Sequence, residues 1–273
     1  MSDPVLVWFA DEAGSDVAVV GGKGASLAAM TVAGLPVPPG FVVAAHVLET
    51  SVDSERLRAL AIAQAHEEAH ALVLGAEPPR GEIAAAYERL GGGRVAVRSS
   101  AVAEDSEAAS FAGQQETYLG VEGAGDVSAR VVDCWASFFT ERAMFYRGHK
   151  GSLADLGMAV VVQKMVEAEK AGVVFTVDPV QRRRDQMIVE AVHGLGEQVV
   201  SGEVTPDHYV VDREGAVKRS LIPNGGVLGD EELARLAELG RRLENHFGGP
   251  QDIEFAIAGG EVYLLQSRPV TAL

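Results

Sequence analysis

The sequence predicts an α+β protein of two lobes, on three observations. The first third is rich in helical patterns. From MAVVVQKMV onward short apolar strands dominate, interrupted by one helix. The two element types mix without regular βαβ alternation, which argues against a doubly wound parallel sheet. The expected division is 1–166 and 167–273, with a waist near Gln163 to Val166.

The elements follow from local signals. GGKGASLAAMTVAGLPVPPG reads as a glycine turn opening a helix, stopped by prolines. SERLRALAIAQAHEEAHALVLG has helical periodicity and predicts one long helix with Ser54 as N-cap. GEIAAAYERLGGG predicts another helix, ended by glycines. VAVRSS is a short strand, followed by the small, polar, aperiodic AEDSEAASFAGQQETYLGV, which becomes regular only at ETYLGV. VSARVVDCWASFFTERAMFYR returns to helical spacing. AGVVFTV, QMIVEAV, HYVVD and AVKRSLI then predict strands, ELARLAELGRRLENHFG a helix, and QDIEFAIAGGEVYLLQSRPVTAL a closing hairpin.

Composition narrows the function. At 273 residues, 47% apolar and 23% charged, the chain can bury a core of normal size. A net charge of −16 repels phosphate backbones and anionic membrane surfaces, which excludes nucleic acid and lipid headgroups as partners. A phosphate ligand must be held by a few local cations, backbone N–H groups or a metal. The single cysteine, Cys134, allows no intrachain disulfide and no cysteine metal site, and its helical context predicts a buried, inert thiol. No apolar run approaches the ~20 residues of a membrane span, and the N-terminal apolar run is too short for a signal peptide. A cytoplasmic protein is expected.

Four stretches could carry chemistry. In the closing hairpin, a three-residue loop Gly259 to Glu261 would pair Glu254 with Gln266 and Asp252 with Arg268. Those four would share one face, leaving Ile253, Phe255, Ile257, Tyr263 and Leu265 for the core. A two-residue Gly-Gly loop would dissolve the cluster by moving Glu254 and Gln266 to opposite faces. Two oxygen ligands and a guanidinium suit a Mg²⁺-bound polyphosphate, and also fit a solvated hairpin end with one salt bridge. In VAVRSS, Arg98 leaves a strand end, where it could hold phosphate bidentately or begin a surface loop. The following SFAGQQET has the small residues that let N–H groups approach an anion. GGKGAS offers a helix start and Lys23 to phosphate, or is a glycine-rich cap with an exposed lysine. MAVVVQKMV could present Gln163 and Met165 to an adenine, although such a Met also suits plain core. Glu197 is a candidate for ribose hydroxyls, and His193 reads as a satisfied, partly buried histidine.

Their order is more specific than any one block. GGKGASLAAM, VAVRSSAVAEDSEAASFAGQQETYLGV, VVQKMV, AGVVFTVDPV, GLGEQVVSGEVTPDHYVV and DIEFAI…YLLQSRPVT together resemble the ATP-binding domain of the dikinase family, which includes phosphoenolpyruvate synthase, pyruvate phosphate dikinase and rifampin phosphotransferase. The resemblance runs over residues 21–271, least clearly over 45–90. It implies an ATP-grasp fold, two lobes enclosing Mg·ATP. It further implies phosphate contacts from Lys23, Arg98 and Arg268, which are the expected catalytic cations, and a phosphate loop including Gly113 and Thr117. The adenine hinge would lie at Gln163 and the backbone of Met165, and the metal ligands would be Glu254 and Gln266.

In the resembled enzymes a phosphohistidine domain and an acceptor domain follow this one. None of the seven histidines here sits in a Gly-Gly-x-Thr-x-His setting. The expected function is therefore an ATP-dependent phosphotransferase that passes phosphate to a histidine carrier on another chain or to a small-molecule acceptor. A nucleotide-binding partner module without turnover, or a ligase forming an acyl- or guanidino-phosphate, are the alternatives.

Overall fold

A computed structural model of the chain describes residues 4–102, 116–195 and 204–271. It forms two compact units, one of Met1–Ala29 with Pro39–Met165, the other of Met30–Pro38 with Val166–Leu273. Helices and antiparallel sheets mix in both, as the α+β reading expects.

The first unit is built on strands β1 (Leu6–Trp8), β2 (Gly40–Val43), β3 (Val95–Ala101), β4 (Thr117–Val121) and β5 (Met158–Lys164). Their order is β1-β2-β5-β3-β4, every neighbour antiparallel. Because side chains alternate along a strand, the sheet has two distinct faces. Phe41, Val43, Val95, Val97, Val160 and Val162 point into a core shared with α2 (Val47–Ser51), α3 (Ser54–Ile62), α4 (His66–Leu74), α5 (Arg80–Arg89), α6 (Ala124–Ser137) and α7 (Glu141–Lys150). Trp135, fully buried there, donates its indole N–H to the Met158 carbonyl at 3.0 Å. Ala96, Arg98, Ser100, Val161 and Gln163 occupy the other face, against which α1 (Val17–Val32) packs.

Two helical expectations are corrected. The long helix is two, α3 and α4, broken at Gln64 with φ 56. Gln64 N–H bonds the Ala61 carbonyl and Ala65 N–H the Leu60 carbonyl, both at 3.0 Å. That pairing is a Schellman stop made without glycine, so no sequence signal announces it. The cap at its start is Asp53, whose carboxylate accepts from Arg56 N–H, not Ser54, which is the first helical residue. The Cys134 stretch also divides, into α6 and α7. The buried Arg147 of α7 ties both ends of that helix, donating to the carbonyls of Phe138 before it and Ser152 after it at 3.2 Å and lying 3.7 Å from the Phe138 ring centre. Burial pulls its pKa down to about 10. Cys134 is fully buried as expected, and burial pushes its thiol far above the usual range.

The second unit is one six-stranded antiparallel sheet, β6 (Lys170–Phe175), β7 (Gln186–His193), β8 (Asp207–Asp212), β9 (Val217–Leu221), β10 (Gln251–Ala258) and β11 (Glu261–Pro269), in the order β11-β10-β6-β7-β8-β9. Helix α8 (Asp230–Phe247) covers one face with Leu233, Leu236, Leu239 and Leu243. It approaches closely through Gly240, where a Cβ would lie 3.1 Å from Thr176 and 3.4 Å from Met187. Its first turn holds Asp230, Glu231 and Glu232, favourable at a helix N-terminus. Glu232 also accepts from Gly229 N–H and pairs with Lys170 at 2.7 Å, tying the helix to β6.

The turn before α8 is organised by Asp207, fully buried. Its carboxylate accepts the N–H groups of Asn224, Gly226 and Val227 at 2.7–2.9 Å and the hydroxyl of Tyr209. Burial pushes the carboxyl up, but these donors outweigh it and hold it below its ordinary value. Asp207→Ala is expected to lower unfolding free energy by about 3 kcal/mol, the scale of orphaned bonds to a buried charge. The sign with pH is fixed. A depressed folded pKa stabilises above the unfolded value and loses that stability as pH falls through the folded one. Urea midpoints at pH 7 and pH 3 should show a larger acid loss in the native chain than in Asp207→Asn, the difference being the part that Asp207 carries.

Candidate functional site

In the first unit, glycine chemistry sets the position of Lys23. Gly21 has φ 69 and ψ 171 and breaks α1 one turn from its start. A Cβ there would sit 2.2 Å from the Ser100 carbonyl oxygen, so only glycine lets α1 lie on β3. Ser100 Oγ completes the junction by accepting from Gly24 N–H at 3.1 Å and donating to the Val20 carbonyl at 2.9 Å. Lys23, 6% exposed, donates its ammonium to the Ser99 carbonyl at 3.0 Å. An ammonium has three donors, and this bond fixes it one residue beyond Arg98. The alternative of a glycine-rich cap with an exposed lysine is overturned, because the lysine is buried and anchored.

Arg98 is 8% exposed on the α1 side of β3, directly opposite Thr117 of β4. Ser99 fastens the edge beside it, exchanging bonds with Glu116 through backbone and hydroxyl. Arg98 is therefore a buried cation in a central strand, not the start of a surface loop. Gln163, 2% exposed, lies on the same face between Gly40 and Ala96. Met165 follows β5, and its N–H already bonds the Arg94 carbonyl at 3.0 Å while its sulfur accepts from Gly120 N–H. That N–H is thus committed within the unit. Gly113 and Glu197 lie outside the described residues. His193 is exposed at the end of β7, not half-buried.

In the second unit the hairpin differs from expectation and keeps its consequence. The loop has two residues, Gly259 (φ 58) and Gly260 (φ 78), with Ala258 opposite Glu261. Positive φ at both positions is the type I′ turn that matches strand twist. Glu169 pins it by accepting Gly259 N–H at 3.0 Å. That register would separate Glu254 from Gln266, but the pairing shifts between Glu254 and Phe255. Phe255 faces Leu264 and Glu254 faces Gln266, leaving Leu265 as the extra residue of a β-bulge. The bulge restores what the short loop would have dissolved. The two-residue loop itself changes the core, because it pairs Ile257 with Val262 and Phe255 with Leu264, so Val262 and Leu264 are buried where Tyr263 and Leu265 were expected.

The result is a polar group on the face α8 does not cover. Glu254 and Gln266 are directly opposite, and Asp252 and Arg268 form the neighbouring rung. Arg268 Nε and Nη2 reach the same Asp252 oxygen at 2.8 and 2.7 Å. Burial pushes the Asp252 carboxyl above its ordinary value, against Arg268 and with help from the charge of Glu254. Arg268 itself is 61% exposed. Sequence reasoning overlooked Ser99 and Ser100, which hold the Lys23 segment. It also overlooked Gln251 and Ser267, which lie beneath the hairpin's polar face. The available signal for Gln251 was its strand parity with the buried Ile253 and Phe255.

Among protein families, the pyruvate phosphate dikinase, AMP/ATP-binding domain matches residues 17–224 and 214–273. The chain belongs to this family. Curated dikinase-family relatives match nearly all of it. A probable phosphoenolpyruvate synthase from Methanothermobacter thermautotrophicus is 42% identical, over 98% of this chain and 46% of that protein. A rifampicin phosphotransferase from a Streptomyces species is 40% identical, over 100% of this chain and 36% of that protein. The chain thus spans less than half the length of these relatives. A solved biotin carboxylase–β,γ-ATP complex from Campylobacter jejuni aligns over 92% of this chain and 40% of that one at 15% identity, with a TM-score of 0.41.

The hairpin fits the ion that ATP carries. No group of three or more His, Cys, Asp or Glu able to hold a metal occurs among the described residues. A magnesium ion needs none, because it is commonly held by one or two protein oxygens with phosphate and water completing the octahedron. Directly opposed side chains lie about 5 Å apart at Cβ, close enough for the Glu254 carboxylate and the Gln266 amide oxygen to share one ion.

Proposed function

We infer that this chain binds Mg·ATP and serves as the nucleotide half of a dikinase-type phosphotransferase with the ATP-grasp fold. Its acceptor is a histidine carrier outside this sequence or a small molecule. The observation that carries the reading is the bulged hairpin, which sets Glu254 against Gln266 one rung from Arg268. In this reading Glu254 and Gln266 hold the magnesium ion, and Lys23, Arg98 and Arg268 neutralise phosphate oxygens. Thr117, at the start of β4 opposite Arg98, and Gly113 contact the phosphates, Gln163 and Met165 face the adenine, and Glu197 takes the ribose. Phosphoryl transfer is mostly positioning and charge stabilisation. The buried Lys23 and Arg98 suit that task because their scaffold is already fixed. With its Met165 N–H committed, the hinge would recognise adenine through the Met165 carbonyl and the Gln163 amide. An ATP substrate suits an enzyme of the cytoplasm.

The test follows ³¹P resonances of Mg·ATP with the chain alone, then with a purified phosphohistidine domain from the Methanothermobacter relative. AMP with pyrophosphate or phosphate is the expected product, faster with the added domain. ADP alone would replace this reading with a simple kinase or ligase.

A further inference from the structure

The hairpin raises a question that its polar face does not answer. A bulge forfeits ladder pairing, and a plain continuation beyond Phe255–Leu264 was open to the same residues. It would set Ile253 against Gln266, Asp252 against Ser267 and Gln251 against Arg268. Since a one-residue slip moves side chains to the opposite face, Gln266 and Arg268 would then turn towards α8 and Ser267 away from it. The Asp252–Arg268 ion pair favours the bulged register on the exposed face, and a second feature favours it on the α8 side.

That feature is a buried polar knot. Gln251 is 2% exposed and Ser267 4%, and the Ser267 hydroxyl donates to Gln251 Oε1 at 3.0 Å. The Gln251 amide nitrogen donates to the carbonyls of Gly249 and Pro250 at 3.0 and 3.2 Å. Its backbone exchanges bonds with the fully buried Thr176 of the β6 side, N–H to Oγ1 and carbonyl to N–H, both at 2.9 Å. The amide nitrogen is held by its own strand's entry, and the amide oxygen takes its donor from Ser267 on the α8 side. In the plain register the amide oxygen would lose this donor, and an unpaired buried acceptor is costly. Gln251 and Ser267 alternate with Asp252, Glu254, Gln266 and Arg268 along the two strands, so they set the position of the opposite face.

We propose that Gln251 and Ser267 are positioning residues whose buried hydrogen bond selects the bulged register and so aligns Glu254 with Gln266. The register claim stands on geometry alone; its consequence for metal binding rests on the function proposed above. The experiment keeps the two apart. Cysteine pairs are introduced in the full chain, Glu254→Cys with Gln266→Cys and, separately, Ile253→Cys with Gln266→Cys. Disulfide formation is followed by mass spectrometry. In the bulged register the first pair is opposed and the second points to opposite faces, which forbids a bond. The first should close at least about tenfold faster in the native background. Adding Ser267→Ala with Gln251→Met should bring the two rates within about threefold, because neither register then holds the knot. If the double change fails to fold, Ser267→Ala alone should narrow the gap in the same direction.

The second arm measures the Mg²⁺ concentration that half-saturates ATP binding, well below the melting temperature. Ser267→Ala should raise it about tenfold, and Ser267→Thr, which keeps the hydroxyl, should restore it. A merely structural loss would lower the melting temperature and leave that requirement unmoved. Unchanged closure rates overturn the register claim. Changed rates with an unmoved Mg²⁺ requirement overturn the positioning role. A native chain that binds no Mg·ATP removes the proposed function, while the closure rates still decide the register.

Discussion

Glu254→Gln is expected to weaken Mg²⁺-dependent ATP binding by about a hundredfold or more and to remove measurable turnover. The size of the effect follows from what the hairpin supplies. Among the two opposed oxygens, Glu254 alone brings a full negative charge, since Gln266 contributes a neutral amide. The substitution keeps the shape, removes that charge and turns one acceptor oxygen into an N–H donor that cannot ligate a cation. Losing a supporting group around a metal commonly costs about 10–100-fold, and losing the charged ligand should cost more. Stability should move little, because the side chain is only part-buried on the face away from α8. Magnesium titrations of ATP binding, with a thermal melt of the same sample, separate the two effects. Equal loss of melting temperature and affinity would assign Glu254 to the fold instead.

Gly21→Ala should be the most damaging single methyl in the first unit. The added Cβ would meet the Ser100 carbonyl oxygen at 2.2 Å and Ser100 Oγ at 2.4 Å, and φ 69 disfavours any L side chain. Neither the clash nor the strain can relax without lifting α1 from β3. A cost above about 3 kcal/mol is expected, in the range reserved for core overpacking and forced backbone conformations. The bond from Lys23 to Ser99 should loosen with it, so ATP binding should fall even where the variant remains folded. By contrast Gly34, also at positive φ, would place an added methyl with nothing within 4 Å of it. Gly34→Ala should carry only the backbone penalty, about 1 kcal/mol. Chemical denaturation of the two variants side by side tests the distinction.

Much of this was legible in the sequence, for particular reasons. The mixed α+β class follows from helical spacing before Gly92 and strand alternation after Met158, and both survive packing. The cluster at Asp252, Glu254, Gln266 and Arg268 was legible because period-two alternation places polar residues opposite Ile253 and Phe255. Its route was not. A three-residue loop and a two-residue loop with a bulge give the same pairing at Glu254, and no local pattern marks Leu265 as the extra residue. The break at Gln64 was hidden likewise, since a Schellman stop without glycine leaves a helical sequence unchanged. For GGKGAS the sequence left two readings open, a phosphate-binding helix start and a glycine-rich cap with an exposed lysine. The tertiary reason for Gly21 is the approach of α1 to Ser100, a partner far along the chain on β3.

The central claim is that Glu254 and Gln266 hold the metal of bound ATP, and paramagnetic broadening tests it most directly. Mn²⁺ replaces Mg²⁺ in a titration of the isotopically labelled chain with ATP, and backbone amide signals are followed. Signals of residues 252–256 and 264–268 are expected to vanish first, at substoichiometric Mn·ATP, and Glu254→Gln to protect them. Nucleotide binding that leaves those signals sharp while others broaden would contradict the claim.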